Sequence, residues 1–430
     1  MNPVRTMATR SSQTSPPASS DASPRPVAVG LLGRGTVGSA FVDELNDVAD
    51  AIAADLGFKP IISGVLRRSE GSFEEILERS EVIVELMGGQ DPAREYVEKA
   101  LRAGRHVVTA NKQLVARYGE ELSAIAYEQG VHFRYEAAIA GAVPIIHVLR
   151  SHLLVTHIDR VMGIVNGTTN FILEEMASQG STFQDALARA QDLGYAEPDP
   201  TDDINGRDAA AKMVILARLA FGTPVDYNDV VYEGIEKIDP DDLVYAKEFG
   251  LALKLLGIAE RRGKSLSIRV FPCFVSDKHP LASTHGPFNA VTIDAPAVEE
   301  ITLAGPGAGA RATASIVLND VAAVSAGGPQ RSYVSMGERL KVDNDGQRSC
   351  FYIHMIVTDQ PGVLSSVADV LAQHEISVES AVQRGMGDQA RLMLVTHECD
   401  EKACWEALLD ISKLHVTRSD PRAIRVRTQD

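Results

Sequence analysis

No apolar run in this chain approaches the roughly 20 residues that span a bilayer, so a membrane protein is not expected. Cysteine is scarce. The four present, Cys273, Cys350, Cys399 and Cys404, have neither the number nor the Cys-x-x-Cys spacing of a disulfide framework or zinc clamp. Reduced thiols in a cytoplasmic protein fit this pattern. Positive charge is also in deficit: 42 basic against 58 acidic residues give a formal charge of −16, the wrong sign for neutralising the phosphates of a nucleic acid. Residues 1–25 lack large apolar side chains and are rich in Ser, Pro and Thr, which predicts a disordered tail. The continuous apolar stretch of a secretory signal is missing there, and Met7 offers a later translation start.

What is present is the material of a multidomain globular protein: 430 residues, 45% hydrophobic and 23% charged, enough for two to four domains. Short apolar strands (27–32, 61–66, 81–87 and one from His106) alternate with helical periodicity over 37–56, 92–103 and 113–129. That alternation predicts a doubly wound α/β domain of Rossmann type within 26–150. The block 151–325 mixes helical stretches (170–192, 207–221, 242–260) with strand-like runs (155–165, 268–275, 288–304) and reads as α+β. Polar, Gly-rich residues at 326–349 suggest a linker, and 350–430 follows a βαββαβ order, the ferredoxin-like arrangement.

Directly after the first strand comes Gly33-Arg34-Gly35-Thr36-Val37-Gly38, a Gly-x-Gly-x-x-Gly in strand-to-helix context. Gly33 permits the tight turn, Gly35 lets backbone approach a pyrophosphate, and Gly38 lets helix pack on strand; Thr36 and Val37 complete the candidate cofactor loop. No carboxylate ends the second strand to hold a ribose hydroxyl. Arg67 and Arg68 stand there instead, which favours NADP(H) over NAD(H) unless they are only surface charges.

Two further stretches carry chemistry: Asn166-Gly167-Thr168-Thr169-Asn170, and a Pro- and Asp-rich loop from Leu193 that feeds a helix bearing Asp208 and Lys212. These two share a helix face, a spacing more often seen in solvated ion pairs. Together with Thr109-Ala110-Asn111-Lys112 and Gly305-Pro306-Gly307-Ala308-Gly309-Ala310, the motifs resemble the signature of homoserine dehydrogenases over about 27–325. The resemblance implies reversible NAD(P)H-dependent reduction of L-aspartate 4-semialdehyde to L-homoserine, in threonine and methionine biosynthesis.

By motif position, the resemblance makes Lys212 the proton donor and Asp208 the residue that positions the substrate and that lysine. It places Lys112 near both nicotinamide and substrate, Thr109, Gly305 and Gly307 against the cofactor, and Glu197 on the substrate ammonium, where the alternative is a loop carboxylate in solvent. Glu136 to Pro144 resembles the family's monovalent-cation loop, which implies sodium on the backbone carbonyls of Glu136, Ile139, Gly141 and Val143. His279 is assigned no chemistry.

Residues 350–427, with Asp359-Gln360-Pro361-Gly362-Val363-Leu364 between strand and helix, resemble the ACT domain. Asp359 is expected to accept bonds at the helix start, with Pro361, Gly362, Val363 and Leu364 completing an amino-acid site. The implied effector is threonine; a domain that only assembles a homodimer or homotetramer is the alternative. Two rival functions are a different semialdehyde or amino-acid dehydrogenase, whose phosphorylating version is disfavoured by the lack of a cysteine in a catalytic context, and an amino-acid sensor with a vestigial cofactor domain, disfavoured by the presence of Lys212, Asp208 and Glu197.

Overall fold

The computed structural model describes residues 23–327 and 339–427. The expected tail lies almost wholly outside that range, as does the middle of the expected linker. Among the described residues no helix is long and apolar enough to cross a membrane.

The first part alternates strand and helix: β1 (Arg25–Leu32), α1 (Thr36–Leu56), β2 (Phe58–Leu66), α2 (Phe73–Arg79), β3 (Val82–Glu85), α3 (Ala93–Arg102), β4 (His106–Thr109), α4 (Lys112–Glu128) and β5 (Phe133–Arg134). Its five strands form a parallel sheet in the order β2-β1-β3-β4-β5. Val29, Leu31, Val82, Val84, Val107 and Val108 are buried, as strands covered by helices on both faces require. The order reverses beside β1, so the crevice above the carboxyl ends of β1 and β3 is where such sheets bind ligands.

A short helix α5 (Ile145–His147) leads to β6 (Arg160–Ile164), α6 (Gly167–Gln179), α7 (Phe183–Asp192), α8 (Thr201–Ile204) and α9 (Arg207–Phe221). Then follow β7 (Val231–Tyr232), α10 (Pro240–Glu248), β8 (Leu251–Arg262), β9 (Ser265–Ser276), β10 (Phe288–Ala295), β11 (Glu299–Pro306) and α11 (Ala310–Ser325). The helix expected over 242–260 is corrected: it stops at Glu248, Gly250 turns left-handed at φ 67°, and β8 begins. Leu251–Ala259, apolar but for Lys254, is almost wholly buried, and such a run carries no periodicity to separate helix from strand. The stretch 170–192 is two helices parted at Gly180 (φ 65°), and 288–304 is the hairpin β10–β11.

The last part comprises β12 (Lys341–Val342), β13 (Arg348–Thr358), α12 (Val363–Gln373), β14 (Val378–Gly385), β15 (Gln389–Thr396), β16 (Cys399–Asp400), α13 (Glu401–Ser412) and β17 (Arg422–Arg427). The expected βαββαβ order is present. Its sheet is not separate, however: β17 pairs in parallel with β9 through Arg425↔Cys273, Val426↔Phe274 and Arg427↔Val275, making one sheet ordered β11-β10-β6-β8-β9-β17-β13-β15-β14. A cluster of ion pairs reinforces the seam. Glu401 accepts from Arg269 at 2.7 Å and from Arg425 at 3.0 Å, while Arg425 also donates to Glu233 at 3.0 Å.

Candidate active site

The turn after β1 is built for close approach. Gly33 sits at φ 97°, and a Cβ on Gly38 would lie 2.1 Å from the Gly33 carbonyl oxygen. Around Gly35 nothing lies within 4 Å of where a Cβ would be, and no side chain caps the start of α1. The first N–H groups of α1 are thereby left for an anion, the fit a dinucleotide pyrophosphate needs. Gly38→Ala is expected to weaken cofactor binding tenfold or more, read by calorimetry, because backbone rather than a mobile side chain must give way.

Beside this turn is a cleft of about 350 Å³, lined among others by Val37, Gly88, Lys112, Gly141, Lys212 and Gly307. Asn111 caps α4 by accepting from Leu114 N at 3.1 Å, which sets Lys112 as the first helical residue. Across the cleft α9 begins after Gly206, and Asp208 and Lys212 lie one turn apart on its inner face. Both are buried.

Asp208 joins the two halves. One carboxylate oxygen meets Lys112, and the other accepts from Lys212 at 2.8 Å and from Asn166 Nδ2 at 2.8 Å. Lys212 Nζ also donates to the Val165 carbonyl at 2.6 Å. Burial pushes the Asp208 pKa up, but the two lysines outweigh it and hold the carboxyl well below the usual range. The lysines diverge. Burial lowers Lys212 despite Asp208, and repulsion by Lys112 adds to that; for Lys112 burial is overcome by Asp208 and its pKa rises. One carboxylate therefore serves a fixed cation and a more acidic ammonium, the separation that marks distinct acid–base roles.

The other predicted residues are distributed as follows. Thr109 is buried and donates to Glu85 at 2.6 Å. Gly307 lines the cleft, where a Cβ would lie 2.5 Å from the Asn289 side chain, and Gly305 is the penultimate residue of β11, which ends just before it. Gly141 abuts the same loop: Ala142 N donates to the Pro306 carbonyl at 3.0 Å. Ala140 (φ 51°) and Gly141 (φ 60°) are consecutive left-handed residues, bending Glu136–Val143 into a tight turn. The Val143 carbonyl accepts from Ile145 N, and that of Glu136 from Ile139 N.

Arg67 is exposed and ion-paired with Glu70 at 3.0 Å, and Arg68 is exposed. Glu197 is exposed and does not line the cleft. Its loop is pinned to α6 where Thr168 donates to the Tyr195 carbonyl at 2.7 Å. His279 accepts from Leu281 N and shapes a turn, a structural role. One expectation is corrected: Asp359 does not cap α12, which starts at Gly362 (φ 90°) without a side-chain cap, because a left-handed residue there turns the chain away; Asp359 accepts from Gln383 instead. Pro361, Val363 and Leu364 form the turn and first residues of α12, with Val363 buried and Leu364 exposed.

Sequence reasoning gave no role to Glu85, Val165, Asn166, Asp203 or Asn289. Asn166, which donates to Asp203 at 2.7 Å as well as to Asp208, and Asp203 itself lie in stretches singled out as motifs, and that membership was the signal available. Asn289, fully buried beside Gly307, carries no such signal.

Comparison with known proteins shows the family. A family model described as the NAD binding domain of homoserine dehydrogenase matches residues 33–136, one for homoserine dehydrogenase itself matches 144–322, and one for the ACT domain matches 352–403. Homoserine dehydrogenase of Neisseria gonorrhoeae is 38% identical over 94% of this chain and 99% of its own length. The chain belongs to the homoserine dehydrogenase family. The enzyme is therefore an NAD(P)-dependent oxidoreductase acting on a CH–OH group. That of Bacillus subtilis is 37% identical over 93% and 98% of the two chains. Among solved structures, a homoserine dehydrogenase from Thiobacillus denitrificans superposes with a TM-score of 0.87 at 35% identity, covering 94% of this chain and 99% of its own. A hyperthermophilic archaeal homoserine dehydrogenase in complex with NADPH gives 0.62 at 29% identity, over 71% and 99%.

Proposed function

We propose that this homoserine dehydrogenase uses NADP(H) in preference to NAD(H) and that Lys212, Asp208 and Lys112 carry its chemistry. The observation that supports this best is the buried Asp208 carboxylate shared by two lysines of unlike acidity beside the glycine-rich turn. When bound, the nicotinamide supplies reducing equivalents to the aldehyde carbon of L-aspartate 4-semialdehyde. Lys212 donates a proton to the carbonyl oxygen as it becomes an alkoxide, its acidity increased by burial. Lys112 remains an ammonium and stabilises the developing negative charge, while Asp208 fixes both amines and keeps Lys212 on the Val165 carbonyl.

Glu197 takes the substrate ammonium, from a loop that folds over the cleft when substrate enters. Val37 and Gly307 line the cofactor path, Thr36 and Gly305 flank it, buried Thr109 supports it from beneath through Glu85 and Asn111, and Arg68, with Arg67 if it leaves Glu70, meets the 2′-phosphate; the NADPH complex of the archaeal relative is consistent with this preference. Sodium on the carbonyls of Glu136, Ile139, Gly141 and Val143 would brace the Gly141–Pro306 contact. The pathway is threonine and methionine biosynthesis in the cytoplasm, threonine is the effector of the ACT domain at Asp359–Leu364, and the assembly is a homodimer or homotetramer.

The test is oxidation of NADPH and NADH by purified protein with aspartate semialdehyde, with and without threonine. No oxidation by folded protein overturns the reading; NADH winning, or threonine without effect, removes the corresponding part. The pH profile supplies a further prediction. Reduction needs protonated Lys212, so its rate should fall as pH rises through a value below 10.5, the ordinary lysine pKa, while homoserine oxidation should rise over the same interval. A rate of reduction flat to pH 10.5 would contradict Lys212 as the donor.

A further inference from the structure

One buried acid beside the cleft is left unused by the chemistry above. Glu85 ends β3, is fully buried, and stands in register with Leu32 of β1 and Thr109 of β4, at the carboxyl edge of the parallel sheet. Its carboxylate faces only donors. Oε1 accepts from Met87 N at 2.8 Å and Gly88 N at 3.3 Å, and Oε2 accepts from the Thr109 hydroxyl at 2.6 Å. Among the described residues no ion pair is made to it. A buried carboxylate without a counter-ion is costly, and ordinary packing does not require one.

The bonds continue outward. With its proton given to Glu85, Thr109 Oγ1 accepts from Asn111 N at 2.9 Å. Asn111 in turn donates from Nδ2 to the Gly89 carbonyl at 2.6 Å and accepts from Leu114 N at the start of α4. Thus one carboxylate fixes both the loop Met87-Gly88-Gly89 and the turn that delivers Lys112 to Asp208. Gly88, Gly89, Asn111 and Lys112 all line the cleft.

We propose that Glu85, in its ionised form, is a positioning residue for the cofactor cleft: it holds the β3 loop and the β4 turn at the separation that admits the nicotinamide end of the dinucleotide. This rests on the cleft being the cofactor site. Three donors converge on the carboxylate: a proton on Oε1 would set O–H against the Met87 and Gly88 N–H groups, and one on Oε2 would force the Thr109 hydroxyl to turn from donor to acceptor, so either loosens the tie to one of the two loops. Burial raises the Glu85 pKa, against the bonds from Thr109, Met87, Gly88 and Asn111. Charges on the surrounding elements are engaged elsewhere. Arg94, Lys99 and Arg102 of α3 pair with Glu121, Glu95 and Glu98, Arg311 of α11 pairs with Glu44, and Asp320 of α11 faces Arg134 and Glu136 N. As pH falls through the raised Glu85 pKa, cofactor binding weakens.

The experiment compares native enzyme with Glu85→Gln by kcat/KM for NADP+ and NAD+ in homoserine oxidation, and by calorimetric Kd for both cofactors, from pH 5 to 9. In Glu85→Gln the high-pH plateau should drop at least tenfold and the acid-side weakening of Kd should vanish, since no group is left to titrate. A plateau within twofold of native overturns the proposal, as does a lowered plateau whose acid limb stays in place, which is the signature of a merely structural role. Should Glu85→Gln fail to fold, Thr109→Val answers the same question. It removes one donor and keeps the carboxylate, so the acid limb must move to higher pH; an unmoved limb overturns the proposal. Native enzyme inactive with both cofactors would instead overturn the proposed function.

Discussion

Replacing Lys212 by alanine is expected to lower turnover by about 10²–10⁴-fold while changing cofactor Kd by less than threefold. The asymmetry follows from where the amine points. Lys212 Nζ is spent on Asp208 and the Val165 carbonyl, on the α9 side of the cleft, whereas the turn at Gly33–Gly38, the proposed pyrophosphate site, offers backbone from the other domain. Loss of the amine removes an interaction that strengthens as the alkoxide forms, so kcat and kcat/KM should fall together. Lys212→Arg should recover little. Guanidinium keeps the charge but does not give up a proton in this range. Stopped-flow and steady-state absorbance at the nicotinamide band read the rate and calorimetry reads the binding; an equal loss of cofactor affinity would make Lys212 a binding residue instead.

Glu401→Gln is expected to cost about 3–5 kcal/mol of stability, because it leaves Arg269 and Arg425 as like charges buried side by side. Their side chains are only 9% and 11% exposed, and Glu401 also accepts from Ser349 at 2.7 Å. The loss should appear at the seam between β9 and β17 first, as faster amide exchange there. Burial raises the Glu401 pKa, but Arg425 and Arg269 outweigh it and hold it at about 2. The native enzyme therefore carries stability that is complete above the ordinary value of 4.5 and is lost as pH falls through about 2. The variant should lack that acid-dependent component. Denaturation showing the variant within 1 kcal/mol of native would remove Glu401 as the keystone of the seam.

The same seam changes how the C-terminal domain is to be probed. Deletion after Gln347 would strip β17 from β9 and abandon Arg269, so lost inhibition in a truncated enzyme would report damage as readily as a missing effector site. Effector studies belong on the full chain.

Much of this was readable from local pattern. The turn at Gly33–Gly38, the strand alternation that follows it, helix 207–221 and the order of elements after residue 350 all depend on residues within one or two turns of each other, where periodicity and glycine placement act directly. Reading failed where that locality failed. Leu251–Ala259 is apolar on both faces apart from Lys254, so nothing in it distinguishes strand from helix until β6 and β9 pair on either side.

Asp208 and Lys212 could be put on one helix face from their spacing, yet spacing alone left them a solvated pair. Burial and the arrival of Lys112, 96 positions earlier in the chain, turned that pair into a site with a fixed cation and an acidic ammonium. Sequence alone thus determined the kind of cofactor turn, the element order and the residue types available for chemistry, since these follow from local stereochemistry and side-chain identity. Tertiary structure alone decided that Glu85 is a buried carboxylate with no ion pair among the described residues, that β17 joins the C-terminal strands to β9, and which lysine is the more acidic. Each of those depends on desolvation and on charges brought together across the chain, and neither quantity exists until the core has formed.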